Sequence, residues 1–265
     1  MKLKELEAEL QPLKGFAEPK RELEQYVTSA HLASRMIYTA ATSFDDIDER
    51  DILDLGCGCA ILSIASVMMG ANSVTSVDVD PDALEIAKEN VASVEMEDHI
   101  EFVHAQIAAS GSQPTSEDIP VFDAAKAGRK FDTVVMNPPF GSWTKGIDMV
   151  FLELACQIAE TAVYSLNKTS TRDFIERKAK SFGFSGTVIA QMRYDLPKTM
   201  SFHKQKSVDM SVRLSRSHGS FKPLTISLVL PQRGGHVAIR ADSSLTLPMK
   251  GSDDIMNNNN GDAQS

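Results

Sequence analysis

Four residues near the middle of the chain, Asn137-Pro138-Pro139-Phe140, put a carboxamide, two rigid imino acids and an aromatic ring in one short stretch. Each proline fixes its own φ and keeps the residue before it out of the α region, so Asn137 presents its amide from a stiff, extended corner. Ahead of it, Phe131 to Met136 is apolar and β-branched after the Asp132-Thr133 step, the pattern of a buried parallel strand that the prolines then end. Open α/β sheets bind ligands at the carboxyl ends of such strands. The Asn137 oxygen and the Pro138 carbonyl could there accept the N–H bonds of a planar amino group, and Phe140 could offer a face to a flat ring. The same residues also suit a plain strand-ending turn, so a second signal has to decide.

That signal lies upstream. Asp51 to Leu55 reads as a strand, and Gly56-Cys57-Gly58-Cys59 as a turn leading straight into a helix from Ala60 to Met69. Glycines let the backbone approach a ligand while the free N–H groups of the helix start point at it. The dinucleotide version of such a turn carries a third glycine where this chain has Ile61, which argues against a pyrophosphate and for a smaller adenosine ligand. The next strand, Ser73 to Val79, carries Asp78 22 residues past Gly56, about the distance at which an acid meets ribose hydroxyls. Asp78 could instead cap the helix that starts near Pro81, a role Asp80 could fill equally well.

These residues need a frame, and the periodicity supplies one. Leu3, Leu6, Leu10 and Leu13 recur at helical spacing among Lys and Glu and predict an amphipathic N-terminal helix that packs on the domain as a lid or flank. After Gly15 comes Leu23-Glu24-Gln25-Tyr26-Val27-Thr28-Ser29, then an apolar-periodic stretch from His31 to Ala41, with Thr28 or Ser29 as its N-cap. On local pattern alone Gln25 and Tyr26 decorate the surface at that helix entry. Ala83 to Val94 reads as a helix, Ile100 to His104 as a third strand, and Ala105 to Lys130 as an unusually long, polar, partly disordered loop. Beyond the corner, a helix from Asp148 to Ala162, strands at Val163 to Leu166, Gly186 to Met192 and Ser207 to Leu214, and a basic helix from Ser170 to Phe182 complete the pattern. Strands alternating with helices predict an α/β, doubly wound sheet.

Composition sets the outer bounds. The 265 residues are 42% apolar, enough for one domain of roughly 215 residues plus a tail. A net charge of −9 and a pI near 5.2 exclude a surface uniformly coated in positive charge, although a local basic face remains compatible. Three cysteines, two of them in the glycine turn, suggest neither a disulfide framework nor a spaced metal site, and therefore a reducing compartment. No apolar run reaches the length of a membrane span, and the charged start does not read as a signal peptide.

The glycine turn with Asp78 behind it and Asn-Pro-Pro-Phe after the fourth strand together resemble the Rossmann-like, S-adenosylmethionine-dependent methyltransferases that act on amino groups. LEQY at 23 to 26 with Thr28, then DLGCGC, VDVDPDALEI, VVMNPPFG, TAVYSLNK, STR and RYDLP followed by FHK, extend the likeness to the methyltransferase-like protein 5 family of ribosomal-RNA adenine N6-methyltransferases over residues 1 to about 216. The resemblance implies a seven-stranded sheet with an antiparallel last strand, a domain at 1–216 with a helical flank at 1–42, and a tail at 217–265. That tail holds one potential strand, Leu224 to Leu230, and otherwise has the composition of a disordered segment. It further implies that Gly56, Cys59, Ile61, Asp78, Gln106 and Ile107 line the cofactor, with Gln25 and Thr28 closing over it, and that Asn137, Pro138, Pro139 and Phe140 form the catalytic corner. Gln106 stands where these enzymes commonly carry an acid against the adenine amino group, so weaker cofactor affinity is expected. By the same resemblance the chain pairs with a small zinc-binding methyltransferase activator protein, and the cytoplasm and nucleus are its expected locations.

Substrate class is read from charge. Between Arg193 and Arg216 six Lys or Arg stand against two Asp, a local balance of +4 in an acidic chain. With Lys168 and Arg172, the residues Arg193, Lys198, His203, Lys204 and Lys206 are expected to make a phosphate-contacting rim beside the corner, although a solvated sheet edge has the same composition. Flipping a base from a duplex costs a few kcal/mol, which favours an exposed or single-stranded target. Two rivals are a protein glutamine N5-methyltransferase, since a carboxamide nitrogen is also planar, and a catalytically silent adenosine-binding scaffold.

Overall fold

The computed structural model describes residues 1–108, 119–123, 130–192, 208–216 and 228–229. Its centre is an eight-stranded sheet made of β1 (Asp51–Leu55), β2 (Ser73–Asp78), β3 (Ile100–His104), β4 (Phe131–Met136), β5 (Ala159–Lys168), β6 (Phe184–Met192), β7 (Val208–Arg216) and β8 (Leu228–Val229), in the order β3-β2-β1-β4-β5-β7-β6-β8. The first five strands run parallel, β7 is antiparallel to both β5 and β6, and β8 pairs parallel with β6. The expected seventh strand is indeed antiparallel and lies between β5 and β6, while the expected count of seven is corrected to eight by the two-residue β8 beyond β6.

The helices are α1 (Leu3–Leu10), α2 (Ala30–Phe44), α3 (Ile61–Met68), α4 (Pro81–Ser93), α5 (Ile147–Ile158) and α6 (Arg172–Ser181). One core packs α1 to α4 against the sheet face that carries Ile52, Val74 and Tyr164; the other packs α5 and α6 against Leu53, Leu55, Val134 and Val163. Alternating strand residues thus supply opposite layers, as a two-faced sheet requires. α1 is a flank and not a lid: Leu6 and Leu10 are fully buried against α2 and α3, each burial contributing about 1.5–3 kcal/mol. Glu7 ties the same helix to α2 through Arg35, 3.0 Å away.

The helix expected from Asp148 to Ala162 stops at Ile158, and β5 begins four residues earlier than the apolar run suggests. Ala159 is already extended and pairs with Phe131, so ladder bonding to β4 outweighs the helix propensity of Ala-Glu-Thr-Ala. Most of 109–129 and most of the tail, where disorder is expected, lie outside the described residues. At the near end of that loop, Gln106 bridges to Val121, and Phe122 is buried in the second core.

Candidate functional site

Register brings the site together. Leu55 pairs with Val77 on one side and with Met136 on the other, so the residues that follow on three adjacent strands are Gly56, Asp78 and Asn137. Strand order reverses between β1 and β4, and a crevice opens outside the carboxyl ends at such a switch point. Here it is a cavity of about 580 Å³, the size of a small-molecule site.

The glycine turn forms the floor. Gly56 and Cys57 donate their N–H groups to the Val77 carbonyl at 2.8 and 3.0 Å, which folds the chain back over β2. Gly58 has a φ of +52°, and a Cβ there would stand 2.9 Å from the Phe16 ring; only glycine meets both demands. Asp78 holds the turn from behind: its Oδ2 accepts from Gly58 N at 2.7 Å and its Oδ1 from Asp80 N at 2.9 Å. Burial pushes the Asp78 carboxyl above the ordinary range, and the backbone N–H bonds oppose that push. Asp80, not Asp78, caps α4, accepting from Asp82 N at 3.1 Å. The two thiols of the turn are both buried, and burial raises Cys57 well above its usual value and Cys59 to about 12.

Over the floor runs a strap, residues 13–28, between α1 and α2. Lys20 Nζ bridges Asp80 and Asp82 at 2.5 and 2.7 Å, Gln25 Nε2 donates to Asp80 Oδ2, and Asn90 Nδ2 donates to the carbonyls of Lys14 and Cys59. The Asp80 carboxylate raises the Lys20 pKa. Gln25 is thus no surface residue: it is 8% exposed and lines the cavity. Ser29 caps α2 by accepting from Leu32 N, which leaves the Thr28 hydroxyl for another partner. That partner is Asn137, whose Nδ2 donates to Thr28 Oγ1 at 2.8 Å, so Asn137 Oδ1 is the amide atom left to accept from a ligand.

All eight residues expected around the cofactor, Gln25, Thr28, Gly56, Cys59, Ile61, Asp78, Gln106 and Ile107, line this one cavity. Of the corner, Asn137 and Pro139 line it, the Pro138 residue between them is buried, and Phe140 is not among the lining residues. The Phe140 ring stacks on Tyr26 with centroids 6.0 Å apart and planes at 21°, and Lys168 Nζ lies 5.4 Å from its centroid. Phe16, Tyr26 and Phe151 are the aromatic residues that line the cavity, and Tyr26 is the one stacked on Phe140 beside the corner. Lys168 also donates to the Phe140 carbonyl at 3.3 Å and to Ser142 Oγ at 3.1 Å, which puts it beside the corner as expected. Arg172 opens α6, while Arg193, Lys198, His203, Lys204 and Lys206 lie outside the described residues. Sequence reasoning missed Lys20 and Phe16 and assigned no role to Glu24, whose carboxylate accepts from the backbone N–H groups of Phe140 and Trp143.

A family profile for ribosomal protein L11 methyltransferase (PrmA) matches residues 28–137, the stretch from Thr28 to Asn137. The chain is 47% identical over 217 residues to the zebrafish (Danio rerio) protein named rRNA N(6)-adenosine-methyltransferase METTL5, covering 82% of this chain and 98% of that one. It is 41% identical to the Drosophila melanogaster protein of the same name, over 80% of this chain and 94% of that one. Among solved structures, one from Pyrococcus horikoshii superimposes with a TM-score of 0.67 at 31% identity, covering 81% of this chain and 98% of that one. The magnesium protoporphyrin IX methyltransferase of Synechocystis, solved with bound S-adenosylmethionine, superimposes with a TM-score of 0.50 at 16% identity over 70% of this chain and 78% of that one, a likeness of fold alone.

Proposed function

The chain belongs to the METTL5 family of rRNA N(6)-adenosine-methyltransferases, and from that premise we propose that it transfers a methyl group from S-adenosylmethionine to the N6 amino group of an adenosine in small-subunit (18S) ribosomal RNA. The observation that carries the reading is the meeting of the glycine turn, buried Asp78 and the Asn-Pro-Pro corner at one level of three adjacent strands on a single cavity.

The cavity fits the cofactor on its own features. Asp78 accepts from the backbone N–H groups of Gly58 and Asp80 and still lines the cavity, where its remaining acceptor capacity suits ribose hydroxyls. Gly58 and Phe16 form a cradle that any side chain at 58 would fill. Gln25, Thr28 and Gln106 supply polar groups over a largely apolar lining. When bound there, the cofactor supplies an electrophilic methyl group.

The chain's own residues must deal with a poor nucleophile. The lone pair of an aromatic amino nitrogen is delocalised into the ring, and the group does not lose a proton readily at neutral pH. Asn137 Oδ1 and the Pro138 carbonyl each accept one N–H, favouring the tetrahedral nitrogen that develops as it attacks. Thr28 fixes which amide atom faces the substrate, and Pro138 and Pro139 fix its angle, so little reorganisation remains at the moment of reaction. Tyr26 offers the stacking face, a contact worth about 1–3 kcal/mol per base. The proton leaves after transfer, so no strong base is required.

The RNA reading is supported by Lys168 beside the corner and by the basic stretch at 193–216, which suits a phosphate-contacting rim. The small zinc-binding activator is proposed as the partner, and the cytoplasm and nucleus as the locations, in keeping with a ribosomal substrate. Among the described residues no helix is long and apolar enough to cross a membrane. The test is transfer of tritiated methyl from the cofactor to ribosomal RNA and, in parallel, to glutamine-containing protein, with Asn137→Ala as control. RNA labelling that falls by about 10²–10³ in Asn137→Ala at unchanged cofactor affinity is expected, because one preorganised partner is removed. Labelling of protein alone, or an Asn137→Ala rate within threefold of the parent, overturns the reading.

A further inference from the structure

Glu24 is a buried carboxylate that lines the cavity and reaches the turn after the corner. It is 6% exposed, and its backbone sits at a φ of +51°, a left-handed conformation that costs a non-glycine residue about 1–2 kcal/mol and persists only where surrounding contacts hold it. Its two oxygens accept from two backbone N–H groups of the turn that follows the corner: Oε2 from Phe140 at 3.1 Å and Oε1 from Trp143 at 2.9 Å. Neither of those N–H groups can be met within the turn's own ladder, since β4 has already ended at Met136. The partners lie 116 and 119 residues apart in sequence, so the pairing is a tertiary clasp, not local capping. Charge-assisted acceptance from backbone N–H groups is roughly twice as strong as its neutral counterpart. Two residues further along the strap, Tyr26 stacks on Phe140, so the clasp and the stack hold the same turn from one side.

On this basis we propose that Glu24 is the positioning residue of the catalytic corner: by fixing the Phe140–Trp143 turn from the strap, it sets the geometry in which Asn137 and Pro138 meet the substrate amino group. The proposal rests on the methyl-transfer reading above. It also makes the strap a shared wall, because Gln25 beside Glu24 binds Asp80 on the cofactor side. Glu24 does not touch the reacting atoms; it acts through the turn.

Glu24→Gln tests it, because the side chain keeps its shape while one accepting oxygen becomes an amide nitrogen that cannot accept. Trp143 is the sole tryptophan of the chain and is 67% exposed, so tryptophan fluorescence, excited at the red edge where the four tyrosines do not absorb, reports on this turn alone. Expected for Glu24→Gln, assayed on ribosomal RNA with the full chain, are a cofactor affinity and an RNA KM within threefold of the parent, a kcat reduced by about 10–100-fold, the scale of a misplaced catalytic group, and an altered acrylamide quenching of Trp143. Glu24→Asp, which keeps the charge but is one methylene shorter, should recover part of the loss. A kcat for Glu24→Gln within threefold of the parent with Trp143 quenching unchanged overturns the proposal, whereas a parent chain that methylates no RNA overturns the reading beneath it. Should Glu24→Gln fail to fold, hydrogen exchange on the parent decides: slow exchange at the Phe140 and Trp143 amides supports the clasp, and exchange at the rate of an open loop overturns it.

Discussion

At the scale of single residues, the site assigns one carboxylate per task. Asp80 caps a helix and binds the strap, Asp78 holds the glycine turn, and Glu24 holds the corner. Asp78→Ala should weaken S-adenosylmethionine binding by about 10²–10⁴-fold in calorimetry, since a hydrogen bond to a charged acceptor is worth about 1.5–3 kcal/mol and two ribose hydroxyls are involved. Asp78→Asn, which keeps one acceptor oxygen, should fall between the two. Affinity unchanged in both variants would confine Asp78 to bracing the turn. Residues whose role depends on neighbours close in sequence were legible from the sequence: the glycine turn, Asp78 and the Asn-Pro-Pro corner could be read because strand, turn and helix signals flank them within a few positions. Glu24, Lys20 and Tyr26 were not, because their partners lie 60 or more residues away, and no local pattern encodes such a pairing.

At the scale of elements, the parallel strands were found within a residue or two, since buried parallel strands read as unbroken apolar runs. The exception was β5, whose first residues carry Glu160 and Thr161 and resemble a helix end until β4 is beside them. The insertion of β7 between β5 and β6 is a property of pairing and left no trace in either strand's pattern. β3 stands at the outer edge, with Phe102 and Val103 half-buried and Ile100 buried. An edge strand with such residues invites another strand. Co-expression with the small zinc-binding activator should therefore give a 1:1 complex with a melting temperature raised by several degrees over the chain alone, and hydrogen exchange at β3 should slow in the complex. A fully active monomer whose melting temperature ignores the activator would remove that partner.

At the scale of the molecule, stability should carry the mark of one buried acid. Asp54, in β1 and fully enclosed, accepts from Ser63 Oγ at 2.6 Å through Oδ2, while Oδ1 has no hydrogen-bond partner among the described residues. Burial pushes its carboxyl from 3.8 up to about 7, the Ser63 hydrogen bond opposes this, and Asp78 adds to it. Because the folded value lies above the unfolded one, the folded chain binds the extra proton between about pH 4 and 7. This contribution to stability is whole below that window and is lost as pH rises through 7. The melting temperature of Asp54→Asn relative to the parent should therefore climb between pH 5 and pH 8, at about 2–4 °C per kcal/mol for a domain of this size. A difference that stays flat with pH would mean that Asp54 does not titrate in this window.

The place of β7 has a consequence for the newborn chain. Every described residue that lines the cavity falls between Leu13 and Phe151, so these cavity walls are synthesised before β6 and β7. The strand that must lie against β5 is made only at Val208–Arg216, after β6. For the intervening stretch of synthesis, some tens of residues at about 5–20 per second, the nascent sheet ends on β5 with the N–H and C=O groups of its outer side unpaired. The pocket can take shape before its sheet is closed, and that interval is when a chaperone at the exit tunnel would find an open β edge to shield.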